Sequence, residues 1–270
     1  MTRKTVTRRQ VLGTAGRGIT LGMLASGLGV ALDAHAAASP AAGVSCMTLL
    51  YPRGEGIRFD AAKYRDSHLP LVRKLLGKGL ARIELRTVDA APAGSPAVPY
   101  VAVVNLWIAD AAAFAAANAQ HGAQLQADIA NFTNGQPVVQ FETVHGEAGK
   151  PRSAAKVGDS CLTILYPNTE GMRWDIDYYA GRRAGKEGHM ALIMRLYGSA
   201  AIARFELRQG DRGPAPGSKA TFIGSIGIYI ANQAAFDAAG KQHGPTLVQD
   251  VPNFSSVNPT AFPTTVYGVG

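Results

Sequence analysis

The run CMTLLYPRGEGIRFD at residues 46–60 returns as CLTILYPNTEGMRWD from Cys161, at an offset of 115. A duplication of this kind constrains the fold more than composition does, because one supersecondary unit must pack against a copy of itself. The match resumes after an insertion of six residues in the second copy, where His68, Leu71 and Leu75 meet His189, Leu192 and Leu196. From Ile83 and Phe205 the offset holds at 122 to the end, pairing Phe114 with Phe236, His121-Gly122 with His243-Gly244, and Asp128, Asn131, Phe132 and Pro137 with Asp250, Asn253, Phe254 and Pro259. The repeats span 44–146 and 159–270. Residues 147–158, EAGKPRSAAKVG, are polar and lack apolar periodicity, as a linker does.

Each copy has the same order of elements. Met47, Leu49 and Tyr51 alternate along a first strand, and Leu162, Ile164 and Tyr166 repeat the pattern. Tyr64, His68, Leu71, Val72 and Leu75 follow at helical spacing, with a kink expected where Pro70 removes a backbone donor. Strands at 81–88 and 99–108, an Ala-rich helix at 110–120 extended by a short turn through Asp128, and a strand at 138–145 complete a βαββαβ unit, the ferredoxin-like arrangement. The fold class is α+β. A four-stranded sheet with helices on one face leaves the other face uncovered, and an apolar free face needs a partner. The short linker holds the second copy at high effective concentration, so the repeats are expected to pair within the chain, sheets face to face and helices outside.

The segments FDAAKYRDSHLPLVRKLL (59–76) and DIANFTNGQP (128–137), with WDIDYY from Trp174 and DVPNFSSVNP from Asp250, resemble the EthD family of dimeric α+β barrel proteins. The resemblance covers nearly all of the chain after its leader. It implies one intramolecular α+β barrel, and a small organic ligand in a cleft between sheet and helices. The wider superfamily includes cofactor-free monooxygenases, isomerases, decarboxylases and haem enzymes, so fold alone selects no reaction. The second copy departs from the pattern: nine residues, AGRRAGKEG, separate Tyr179 from His189, and Ala191 stands where the first copy has Pro70. The first repeat is therefore the better candidate for a working cleft.

His68 lies on the apolar helical face, where partial burial moves an imidazole pKa across neutrality; it is the candidate acid/base, with His189 its counterpart. A satisfied core histidine is the competing reading. Tyr51, Tyr64, Trp107, Tyr166 and Tyr229 are candidate substrate-binding aromatics, each offering an apolar body and a polar tip, with core packing as the alternative. His121 and His243 suit a helix C-terminus, and Asp128–Asn131 and Asp250–Asn253 suit a structural turn. Arg82, Glu84 and Arg86, echoed by Arg204, Glu206 and Arg208, put three charges on one strand face. A solvated or paired edge is expected there, with anion binding inside the barrel the other reading.

The N-terminus places Arg8-Arg9 before a Gly-rich apolar run and ends in Ala34-His35-Ala36, the order of a twin-arginine signal peptide spanning 1–36. Export to the periplasm or beyond is expected, with no membrane association after its removal. The net charge of +8 falls to +4 without that segment, and the remaining basic residues are scattered among acids, which argues against nucleic acid as a partner. HExxH, GxSxG and phosphate-loop signatures are missing, so no metal and no cofactor is implied. Haem ligation by His68 or His189 is a minor alternative. Cys46 and Cys161 open equivalent strands and read as half-buried strand residues, with a disulfide between them the less favoured possibility. Enzyme and noncatalytic ligand-binding or scaffold protein both stay open.

Overall fold

The structure, a computed structural model, describes residues 45–90 and 97–270; the signal segment lies outside them. The first repeat runs β1 (Ser45–Pro52), α1 (Ala61–Lys63), a π-helical turn (Tyr64–His68), α2 (Leu69–Leu76), β2 (Leu80–Val88), β3 (Tyr100–Ile108), α3 (Ala111–Asp128) and β4 (Val138–Gly149). The second runs β5 (Ser160–Pro167), α4 (Ile176–Tyr179), α5 (His189–Ala201), β6 (Ile202–Arg212), β7 (Phe222–Ile230), α6 (Gln233–Asp250) and β8 (Thr260–Val269). All eight strands close one barrel in the order β1-β3-β2-β8-β5-β7-β6-β4.

Closure is by edges. β2 pairs antiparallel with β8 and β4 with β6, so each repeat caps the open edges of the other and, among the described residues, no barrel strand keeps an open edge. The helices lie outside, each set packed on its own sheet. Tyr64, Leu69, Val72, Phe114 and Leu125 bury against Leu49, Leu85 and Leu106 in the first repeat, and Tyr179, Ile193 and Phe254 against Phe205, Leu207 and Ile226 in the second.

The helix-free faces are not apolar, contrary to expectation. Strand alternation sends Thr48, Glu84, Arg86, Asn105, Gln140, Glu142, Thr163, Arg204, Glu206, Arg208 and Thr264 into the lumen, all buried. The Arg-Glu-Arg stripes are therefore interior. Inside the closed barrel each stripe is neutralised largely within itself and by neighbouring residues, Glu84 lying between Arg82 and Arg86 and Glu206 between Arg204 and Arg208, with Glu142 adding a carboxylate to Arg208. Arg208 Nε donates to Glu142 Oε2 at 2.8 Å and its Nη1 to Glu206, while Arg86 Nη2 donates to Asn105 Oδ1 at 2.6 Å. One end of the lumen is apolar, filled by Leu50, Tyr100, Val103, Leu165, Phe222 and Phe262, and a smaller cluster of Cys161, Tyr229 and Val266 lies apart from it. Both cysteines are free and buried in this interior, and desolvation pushes the Cys46 thiol up to about 12.

Candidate functional site

Pro70 does not kink the first helix in the expected way. The turn before it widens to a π-turn in which the Leu69 amide bonds Tyr64 O, an extra-residue geometry that recurs at functional sites. It buries both Tyr64 and His68 against the sheet. Asp60 caps the helix start by accepting from the Lys63 amide at 2.9 Å, and its own amide bonds Phe132 O at 2.8 Å, tying the helix to the turn after α3.

That turn supplies what the sequence reading missed. The extension of α3 to Asp128 is continuous helix and not a short turn, so His121 is mid-helix and caps nothing, and α6 carries His243 likewise. The longer helix delivers Asp128 Oδ2 to 2.7 Å from His68 Nδ1, and Asn131 Nδ2 donates to Asp128 Oδ1 at 2.7 Å. The second repeat builds the same chain, His189 Nδ1 to Asp250 Oδ2 at 2.8 Å and Asn253 Nδ2 to Asp250 Oδ1 at 2.7 Å. These acids are thus histidine partners as well as turn residues. The signal available in the sequence was that histidine, aspartate and asparagine are all duplicated.

Both histidines sit in equivalent aromatic boxes. His68 lies 4.8 Å from the Tyr64 ring and 4.7 Å from Phe132, with Tyr51 and Phe59 completing the wall; His189 lies 4.9 Å from Tyr179 and 4.7 Å from Phe254, with Tyr166 and Trp174. The six-residue insertion replaces the π-turn with a loop, and His189 begins α5 instead of sitting within a continuous helix, yet its surroundings are rebuilt. One difference remains at the acid: Tyr178 donates its hydroxyl to Asp250 Oδ1 at 2.7 Å, where the first repeat has Lys63.

Burial lowers the pKa of His68 and of His189, and the paired aspartate opposes that shift without reversing it. Asp128 is held below the usual carboxylate range: its hydrogen bonds to His68 and Asn131 overcome the effect of burial. An ionised carboxylate only accepts, so Nδ1 carries the proton and Nε2 of the neutral ring keeps a lone pair. His68, Tyr51 and Tyr64 line a narrow cavity of about 50 Å³ with Leu49, Leu106 and Asn118. The Tyr51 hydroxyl is buried beside the Tyr64 side chain, and burial pushes its ionisation well above the ordinary tyrosine range. At roughly 30 Å³ per water, the cavity holds one or two waters and no porphyrin, so haem does not fit it.

Trp107 and Tyr229 are on the other side of the sheet. Trp107 Nε1 donates to Glu206 Oε1 at 3.1 Å, and Tyr229 donates its hydroxyl to Glu84, each aromatic reaching the glutamate of the other repeat inside the barrel. They do not share a cleft with either histidine. No cluster of three or more His, Cys, Asp or Glu among the described residues is arranged to hold a metal.

The EthD domain family matches residues 59–136, which contain His68, Asp128 and Asn131. An EthD-like protein from Ralstonia eutropha JMP134 is 36% identical over 37% of this chain and 89% of its own, with a TM-score of 0.35. An anthrone oxidase-like protein matches 84% of the chain and 92% of its own at 10% identity and TM-score 0.55. A monooxygenase candidate from Fusobacterium nucleatum matches 86% and 95% at 9% identity and TM-score 0.52. The last two show the fold alone. No curated protein matches the chain.

Proposed function

The chain belongs to the EthD family, and we propose that its first repeat binds a small, largely apolar organic molecule and moves a proton on it through His68 Nε2. The observation that carries this reading is the junction of a neutral, carboxylate-oriented imidazole with a buried tyrosine hydroxyl on one cavity wall. Asp128 fixes the tautomer and stabilises the imidazolium once the proton has moved, and the Tyr51 hydroxyl is placed to donate to a ligand oxygen as charge develops on it. The aromatic box supplies the apolar walls. An organic ligand exceeds about 50 Å³, so its entry requires α3 to part from the sheet. Of the residues of α3, only Phe114, Gly122 and Leu125 are buried, which makes it the easier wall to move.

Residues 1–36 support export, and a catabolic role outside the cytoplasm is part of the proposal; fractionation of cells expressing the chain with and without them checks it. Native mass spectrometry of protein purified from its own host identifies the bound molecule. Turnover of that molecule is then compared between wild type, His68→Gln and His189→Gln. A loss of about 10²–10⁴-fold in His68→Gln alone is expected for a general base. A noncatalytic ligand-binding or scaffold protein is the second reading, favoured by the broken helix of the second repeat, and would show no turnover.

A further inference from the structure

We propose that the hollow between the linker and the open end of the barrel is a site for a small organic carboxylate. It has a volume of about 280 Å³ and is lined by Arg204, Lys150, Lys156, Asp159 and Tyr229. At its base the Arg204 side chain is 3% exposed, and its Nε and Nη1 have no hydrogen-bond partner. The two acids nearby, Glu147 and Glu206, both converge on Nη2 and leave the other two nitrogens unserved.

Unpaired donors on a buried cation are costly, and an anion brought to them recovers that cost. The other nearby acids are already engaged. Arg152 holds Glu147 at 2.8 Å and Glu206 at 3.0 Å, Tyr229 holds Glu84, and Asp159 accepts from the Lys156 amide at 3.0 Å. The two lysine ammonium groups at the rim are paired with no acid among the described residues. The guanidinium lies 4.8 Å over the Tyr229 ring, which orients it.

The remaining wall, Ala154, Ala203, Ile230 and Ala231, is apolar. That composition suits a carboxylate carried on a hydrocarbon or aromatic body better than a fully hydrated oxyanion. The site lies on the lumen side of the sheet and is separate from the His68 cleft.

Calorimetric titration of the full chain with benzoate, and with inorganic phosphate as a second probe, tests the assignment. Benzoate should bind saturably, about tenfold or more weakly in a Lys150→Ala/Lys156→Ala variant, whose substitutions are on the surface, and not at all in Arg204→Gln; phosphate should bind more weakly than benzoate. His68→Gln should leave benzoate affinity unchanged. Absence of saturable benzoate binding, an affinity unmoved by the double lysine substitution, or phosphate binding as tight as benzoate would overturn the proposal.

Discussion

His68 and His189 are neutral at pH 7 because burial disfavours the imidazolium, and that has a sign in stability. A histidine whose folded pKa lies below its unfolded value of about 6.5 contributes fully above that value, and the contribution fades as pH falls through the folded pKa. Nitrogen-detected NMR should therefore show both rings protonated on Nδ1 and titrating below the ordinary histidine range. Because Asp128 opposes the downward shift, Asp128→Asn should lower the His68 pKa further. An upward move would mean that the carboxylate does not face the ring. The histidines, Tyr51 and Tyr64 were legible in the sequence because helical and strand periodicity placed them on the sheet-facing side. Asp128 was misread because its contact joins residues 60 apart in sequence, and local turn chemistry explained it adequately.

The elements position this site through close backbone contacts. A Cβ on Gly79 would stand 2.8 Å from the Phe114 backbone, so the turn between α2 and β2 seats the start of α3 directly. Gly79→Ala should destabilise the protein by about 1–3 kcal/mol, read from chemical denaturation, as overpacking against an unyielding backbone does. Removing the α3 cap with Asp110→Ala, whose carboxylate accepts from the Ala113 amide at 2.9 Å, should cost about 1 kcal/mol. The strands and the existence of the helices could be read from the sequence. The length of α3 could not, because His121-Gly122 looks like a stop signal, and the π-turn could not, because Pro70 is compatible with several breaks in helical geometry.

At the scale of the whole molecule the duplication and the single barrel were legible, and the charged lining of its lumen was not. Alternation along one strand separates two faces without saying whether the free face meets water, another sheet or a lumen of opposite charges. Arg208 bridges Glu142 and Glu206 on the neighbouring strands β4 and β6, and Arg208→Met would leave the buried Glu142 without its cation at a cost of about 3–5 kcal/mol, while Glu206 keeps Arg204 and Arg152. Burial alone would raise the Glu206 pKa, but Arg208, Arg204 and Arg152 overcome it and bring it down to about 2. Its contribution to stability is thus present above the ordinary value of 4.5 and lost as pH falls toward about 2. Residues 37–150 alone would leave the β2 and β4 edges unpaired and the charged face open. That fragment should be a dimer or insoluble, and a folded monomer in sedimentation would contradict edge-sealed closure. The functional account is tested most directly by a crystal structure of the full chain with its co-purifying molecule bound. The molecule should lie in the first repeat, within hydrogen-bonding distance of His68 Nε2 and the Tyr51 hydroxyl, with α3 displaced from the sheet; a molecule lodged only beside His189, or only inside the barrel, would contradict it.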